Sequence, residues 1–333
     1  MASVDFKKLF NSFPDIRIGV IGDVMLDTYW WGSVERISPE APVPVVTVNR
    51  KELRIGGAGN VALNLAALGT PVSLFSVLGK DEDGEALRSL LEKNRISTGY
   101  LMHSEQRITT NKMRVISRNQ QMMRLDSETV QELSADAEAG LLSRIGQFIL
   151  DEKPAALIFE DYNKGVLTPR VIRAAIDLCR KHSVVTAVDP KRKHFFDYSG
   201  VDIFKPNLKE AREALNLLVE DVSQKTLDSI DHQLRSQLHH AISLITLSEK
   251  GVYVKDERTS AIVPSHIRDI ADVSGAGDTV IAVATLIFAV TKNTRLMAEI
   301  ANLAGGLVCE SVGTVAIERN TLLEECERIL DHV

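Results

Sequence analysis

Cysteine is scarce: Cys179, Cys309 and Cys326 are the only three in 333 residues, widely spaced and without a C-x-x-C pair. That set argues against a disulfide framework or a cysteine zinc site and fits a reducing compartment. The eight histidines contain no H-E-x-x-H or comparable metal-ligand spacing. A basic excess is also missing, since 39 basic and 45 acidic residues leave a net charge of −6. No global field therefore attracts nucleic acid or an anionic membrane. The longest largely apolar stretch, 280–290, broken only by Thr285, falls far short of the roughly 20 residues that cross a bilayer. The opening MASVDFKKLFNSF lacks the apolar core of a signal peptide. We expect a cytoplasmic protein without nucleic-acid or membrane partners. No Pro/Gly/Ser-rich linker, low-complexity tract or internal repeat divides the chain, so one domain over 1–333 is expected.

Hydrophobic residues make up 44% and charged residues 25%, near the average for a globular protein. Short apolar runs at 16–21, 72–77, 155–159, 184–188 and 243–247 read as buried strands. Between them, 60–68, 84–93, 134–151, 168–181 and 208–217 place apolar residues at helical spacing. The alternation predicts an α/β fold, a mostly parallel sheet covered on both faces. A hairpin is expected over 251–256 and 260–263, with helix resuming after it. Two stretches break the rhythm, 38–48 (SPEAPVPVVTV) and 109–126. They predict a separate small β lid, with strands at about 34–55 and 100–126.

The strongest motif is DVSGAGDT at 272–279, running directly into the apolar helix 280–290. Glycines at a helix N-terminus let several N–H groups face one anion. Asp278 could accept the proton of a hydroxyl attacking a γ-phosphate, with Gly275, Ala276 and Gly277 as the anion hole. A helix-capping aspartate is the plainer alternative. Residues 56–62 (GGAGNVA) form a second glycine turn. It satisfies G-x-G-x-x-A weakly and admits either a dinucleotide, a small polar ligand near Asn60, or helix–sheet packing. GDVMLD at 22–27 puts Asp23 and Asp27 past the first strand's carboxyl end, where open sheets bind ligands. No Walker A sequence or kinase H-R-D set is present. Asn207 and Glu210 are spaced either as a capping box or as holders of hydrated Mg²⁺ beside nucleotide phosphates. Lys112 and Arg114 share one face of an extended strand in the lid, suited to gripping a phosphate ester.

The ordered set GDVMLD, GGAGN, NLKE and DVSGAGDT resembles the ribokinase-like (PfkB) carbohydrate kinases over about 16–315. RISPEAPVPVV, SRNQQMMRLD, FEDYNKGVL and DPKRK resemble in particular the D-glycero-β-D-manno-heptose-7-phosphate kinase branch. The resemblance implies a three-layer sandwich with a mostly parallel central sheet and a small β lid. It implies transfer of the ATP γ-phosphate to O1 of the heptose 7-phosphate, in ADP-heptose synthesis for the lipopolysaccharide core. Asp278 would be the base, and Asp27, Gly56, Gly57 and Asn60 would contact sugar, with Asp161 and Lys164 near the same crevice. Ser248, Glu249 and Gly251 would lie by the phosphates or ribose and Asn302 by the base. Asp272, Ser274, Ser311 and Gly313 are candidates for a K⁺ neighbourhood. A homodimer through the lid is also implied. Bifunctional relatives carry a nucleotidyltransferase domain with an H-x-G-H motif, which this sequence lacks, so a separate adenylyltransferase is expected. Glu160 stands where relatives more often place a small hydroxyl residue, and an extra carboxylate there bears on substrate choice.

Overall fold

The computed structural model describes residues 4–118, 120–218, 221–266 and 268–330. Three β-branched, aliphatic runs, Ile18–Gly22, Ala156–Glu160 and Val185–Asp189, are strands buried along their whole length. Burial on both faces is what a parallel strand between two helical layers requires, and it explains why these runs do not alternate. Among the described residues the central sheet has eight strands. Their spatial order is Ser260–Val263, Val252–Lys255, Ile242–Thr246, Ile203–Phe204, Val185–Asp189, Ala156–Glu160, Ile18–Gly22, Val72–Phe75. All neighbours are parallel except at one edge, where Val252–Lys255 runs antiparallel both to Ile242–Thr246 and to its partner in the expected hairpin, Ser260–Val263.

Helices Ala58–Ala67, Ala276–Thr291 and Thr294–Val308 contribute to the apolar core on one side of this sheet. Ala135–Glu152, Pro169–Lys181 and Gln224–Leu238 contribute to the core on the other. Thr168 caps its helix by accepting from the Val171 N–H, as Ser134 does for Ala137. The helix expected over 208–217 stops early, as Leu208–Ala214. Asn216 adopts φ 53°, and the Leu217 N–H turns back to the Arg212 carbonyl at 2.9 Å. That is a left-handed helix terminus, which apolar periodicity does not register.

The lid is a second sheet in the order Pro44–Gly57, Val24–Ile37, Thr110–Ser117, Gln120–Ser127. It begins at Val24, well before the expected 34, because GDVMLD is the start of a lid strand paired with Gly57–Arg54. Asp27 therefore stands on the lid and not on a loop after the first sheet strand. Gly57 turns the chain from the lid strand Pro44–Gly57 into helix Ala58–Ala67 at φ 60°. A Cβ there would lie 2.3 Å from the Asp23 carbonyl oxygen, so only glycine fits. The G-x-G-x-x-A segment thus follows an antiparallel lid strand, which removes the βαβ setting a dinucleotide fingerprint needs.

Candidate active site at the carboxyl edge of the sheet

Strand register sets Gly22, Glu160 and Asp189 side by side at the carboxyl edge of the sheet. Ligands of open α/β sheets bind at this edge. Helix Ala276–Thr291 brings its N-terminus to the same place, and the two turns that follow its first, 280–287, are buried and, but for Thr285, apolar. Gly275 caps it at φ 80°, and a Cβ on Gly275 would come within 2.8 Å of Asn60 Nδ2.

Asp278 lies in the first turn and is 5% exposed. Its Oδ2 accepts from Asn60 Nδ2 and its Oδ1 from the Tyr162 hydroxyl, each at 2.8 Å. Two side chains from other elements hold the carboxylate, which decides against a capping role. Burial pushes its pKa up to about 6, while those two hydrogen bonds pull it back. Asn60 is itself steadied by Asn64, whose Nδ2 donates to the Asn60 carbonyl at 2.9 Å. The Asn64 side-chain oxygen accepts from Thr279 and from the Ile317 N–H, tying two helices and the C-terminal segment together.

Around Asp278, besides Glu160, are Asp189, Lys191 and Lys205, which were not among the expected site residues. Oxygens of Glu160, Asp189 and Asp278 lie within 4.8 Å of one another, all buried. Lys205 Nζ is 2.7 Å from Asp189 Oδ2, and Lys191 Nζ is 3.5 Å from Asp189 Oδ1 and 2.7 Å from Glu210 Oε1. Burial opposes ionisation of Asp189, but the two lysines outweigh it and hold the carboxyl below its ordinary range. A Cβ on Gly277 would lie 3.6 Å from both Asp189 Oδ2 and Lys205 Nζ, so the glycine turn directly adjoins this pair. DPKRK carried the only sequence signal for Asp189 and Lys191; Lys205 had none, being a buried cation in an apolar strand end.

On the lid side, Arg114 Nη1 contacts Asp27 Oδ1 at 2.5 Å, so two expected sugar ligands pair with each other. Gly56 makes room for that carboxylate, since a Cβ there would be 2.5 Å from Asp27 Oδ2. Lys112 Nζ stands 5.5 Å from the Tyr162 ring centroid. Lys164 Nζ pairs with Glu128 at 2.7 Å. Asp161 is turned inward, 1% exposed, accepting from the Asn163 N–H and the Tyr198 hydroxyl. Burial and the charge of Asp23 raise it to about 6.

On the other side, a cavity of about 420 Å³ is lined by Asn207, Lys209, Thr246, Ser248, Glu249 and Lys250. Asn207 and Glu210 do form a reciprocal capping box. Gly251, at φ 93°, turns into the edge hairpin, and Asn302 Nδ2 donates to the Pro264 carbonyl at 2.8 Å. Asp272 Oδ1 accepts from the Ser274 N–H and hydroxyl, and its Oδ2 from the Gly313 N–H at 2.9 Å, while Ser311 is exposed. Arg54 Nη1 donates to the carbonyls of Val312 and Thr314, at 2.9 and 3.3 Å, on either side of Gly313. A guanidinium already supplies positive charge to that loop.

A family profile described as pfkB family carbohydrate kinase matches residues 15–320. The bifunctional protein HldE of Aliarcobacter butzleri is 40% identical over 308 residues, covering 92% of this chain and 64% of its own length. HldE of Sulfurimonas denitrificans is 38% identical over 317 residues, with 95% and 65% covered. The chain thus spans just under two thirds of these relatives. Among solved structures, Escherichia coli phosphofructokinase-2 in complex with potassium superposes with a TM-score of 0.77 at 18% identity, covering 93% of this chain and 97% of that one. Arabidopsis thaliana ribokinase complexed with ribose and ATP gives 0.73 at 15% identity, covering 93% and 99%. These likenesses establish the ribokinase-like fold, in agreement with the expected architecture.

Proposed function

The chain belongs to the pfkB family of carbohydrate kinases, and on that premise we propose that it phosphorylates O1 of D-glycero-β-D-manno-heptose 7-phosphate with ATP. The buried Asp278, held by Asn60 and Tyr162 in the first turn of a glycine-led helix, carries the reading. The HldE relatives and the branch motifs support heptose as the sugar.

In this mechanism Asp278 accepts the O1 proton as O1 forms its bond to the γ-phosphorus. The bond from that phosphorus to the bridging oxygen of ADP breaks, and ADP leaves with the electron pair. Charge on the transferring group is met by N–H groups of Gly275, Ala276 and Gly277, with Lys205 alongside. The lid contributes Asp27, Gly56 and Gly57, and helix Ala58–Ala67 contributes Asn60, to the sugar hydroxyls, while Lys112 and Arg114 of the lid face its phosphate. Lys164 lies near that crevice; Asp161 acts by fixing the loop. The 420 Å³ cavity takes ATP, with Ser248, Glu249 and Gly251 near phosphates or ribose and Asn302 toward the base. Asn207 lines this cavity and Glu210 is its capping-box partner; both retain lone pairs, although Glu210 Oε1 also holds Lys191, so they suit Mg²⁺ held through water, an ion that neutralises phosphate charge when bound. Asp272, Ser274, Ser311 and Gly313 remain the candidate K⁺ neighbourhood, with Arg54 on the adjacent carbonyls of Val312 and Thr314, and no step runs through that ion.

A homodimer through the lid belongs to the same reading. Ile37, Val48, Met123 and Leu125 leave part of its surface apolar and exposed. A cytoplasmic location and an adenylyltransferase activity later in the sequence of reactions complete it; no described helix is long and apolar enough to cross a membrane.

The test is ATP consumption with Mg²⁺ against the heptose 7-phosphate, fructose 6-phosphate, ribose and adenosine, with phosphorus NMR of the product. A new anomeric phosphate on the heptose alone supports the reading; turnover on another acceptor moves the substrate, and silence on all four overturns the kinase assignment.

A further inference from the structure

At the centre of the site two oxygens have no hydrogen-bond partner: both belong to the Glu160 carboxyl, in a residue with 0% exposure. Asp189 Oδ1, on the neighbouring strand and in register with Glu160, also lacks a hydrogen bond. An ionised carboxylate buried without donors is strongly disfavoured. The groups facing it are Asp189, Asp278, Lys205 and Lys191, with Tyr162 and Tyr198 nearby. Each lysine already has a carboxylate at 2.7 Å, Lys205 on Asp189 and Lys191 on Glu210, and Lys191 stands a further 3.5 Å from Asp189 Oδ1. Both Asp278 oxygens already accept hydrogen bonds from Asn60 and Tyr162. Asp189 Oδ1 has no hydrogen bond and only the longer 3.5 Å ion pair with Lys191, and its carboxylate lies within 4.8 Å of Glu160, so a proton on Glu160 directed at it gives each carboxyl a partner.

We propose that Glu160 is a neutral carboxylic acid in the working enzyme, donating its proton to Asp189 Oδ1 as a positioning residue for the Asp189–Lys205 pair beside the base. Burial and the negative charges of Asp189 and Asp278 favour that protonated form. The acid removes one of three adjacent negative charges without removing a donor, so Asp189 keeps its place against Lys205 and the glycine turn. At alkaline pH the proton leaves, three carboxylates repel one another, and the pair next to Gly277 is disturbed. The kinetic consequence rests on the phosphotransfer reading; the protonation state does not.

Infrared difference spectroscopy of the whole chain, wild type against Glu160→Gln at neutral pH, separates the two. The expected result is a protonated-carboxyl stretch in the wild type that is absent from the variant and fades as the wild type is taken to alkaline pH. Absence of that band overturns the proposal. Kinetically, Glu160→Ala is expected to lower kcat by roughly tenfold, the worth of one hydrogen bond to a charged acceptor. Glu160→Gln, whose amide can donate to Asp189, restores most of that loss and flattens the alkaline fall in the pH profile. A glutamine variant as slow as the alanine variant overturns the positioning role. A wild type with the band but without turnover on any sugar would sustain the proton assignment and strike the kinase reading instead.

Discussion

Tyr162 donates its hydroxyl hydrogen to Asp278 Oδ1 at 2.8 Å while its ring lies 5.5 Å from both Lys112 Nζ and Lys191 Nζ. One residue thus touches the base, the lid and the lysine bonded to Glu210. The hydrogen bond lowers the pKa of Asp278 against the burial that raises it to about 6. A base must be ionised, so kcat/KM is expected to fall as pH drops through about 6. Tyr162→Phe removes a stabiliser of the anion and should move that acid limb to higher pH. An unmoved limb in a pH–rate profile would detach Tyr162 from the titration.

Asp278→Asn should lower kcat by roughly 10²–10⁴ with a modest effect on KM, as loss of a general base does. Steady-state kinetics on the accepted sugar decide it, and near-normal turnover would exclude Asp278 as the base.

The same substitution should have the opposite effect on stability. Asp278 has a folded pKa of about 6 against 3.8 for the free group, so the folded state holds its proton more tightly. Its favourable contribution is full below 3.8 and is lost as pH rises through about 6. Asn mimics the neutral acid, so Asp278→Asn should gain on the order of 1–3 kcal/mol relative to wild type between acid and neutral pH. Denaturant melts at both ends of that window would show the gain, or its absence.

Arg114 is 2.5 Å from Asp27, with side-chain exposures of 18% and 6%. Arg114→Ala leaves Asp27 without its partner and removes a cation from the lid. KM for the sugar phosphate is expected to rise by roughly 10–100-fold, the range for a hydrogen bond to a charged group, with KM for ATP unchanged. Equal losses for both substrates would contradict a lid-side role.

Gly275→Ala places a Cβ at φ 80° and 2.8 Å from Asn60 Nδ2. The left-handed backbone costs about 1–2 kcal/mol, and Asn60 must withdraw from Asp278. Both Tm and kcat should fall; a variant of normal Tm and normal kcat would show that the turn adapts.

The layered α/β architecture was legible because buried parallel strands and amphipathic helices leave periodic traces that local reading detects. The two glycine motifs were legible for a similar reason: turns at helix N-termini need glycine where φ is positive, as at Gly57 and Gly275. The lid was seen from its proline-rich stretch and from 109–126, but not from its first residues, since a strand beginning at Val24 directly after Gly22 and Asp23 looks like the end of one element rather than the start of another.

By itself, then, the sequence determined the class of fold, the glycine-led helix and an aspartate at its head. Tertiary structure alone decided that Asp278 is held by Asn60 and Tyr162, 218 and 116 residues away in the chain, and that Asp27 is paired with Arg114. It also decided that Glu160 has Asp189 and Asp278 for neighbours. Periodicity records which face of an element is buried, because that depends on residues a few positions apart. Which carboxylate meets which donor depends on strand register and on where one helix ends above the sheet, and pKa follows from those distances and from burial.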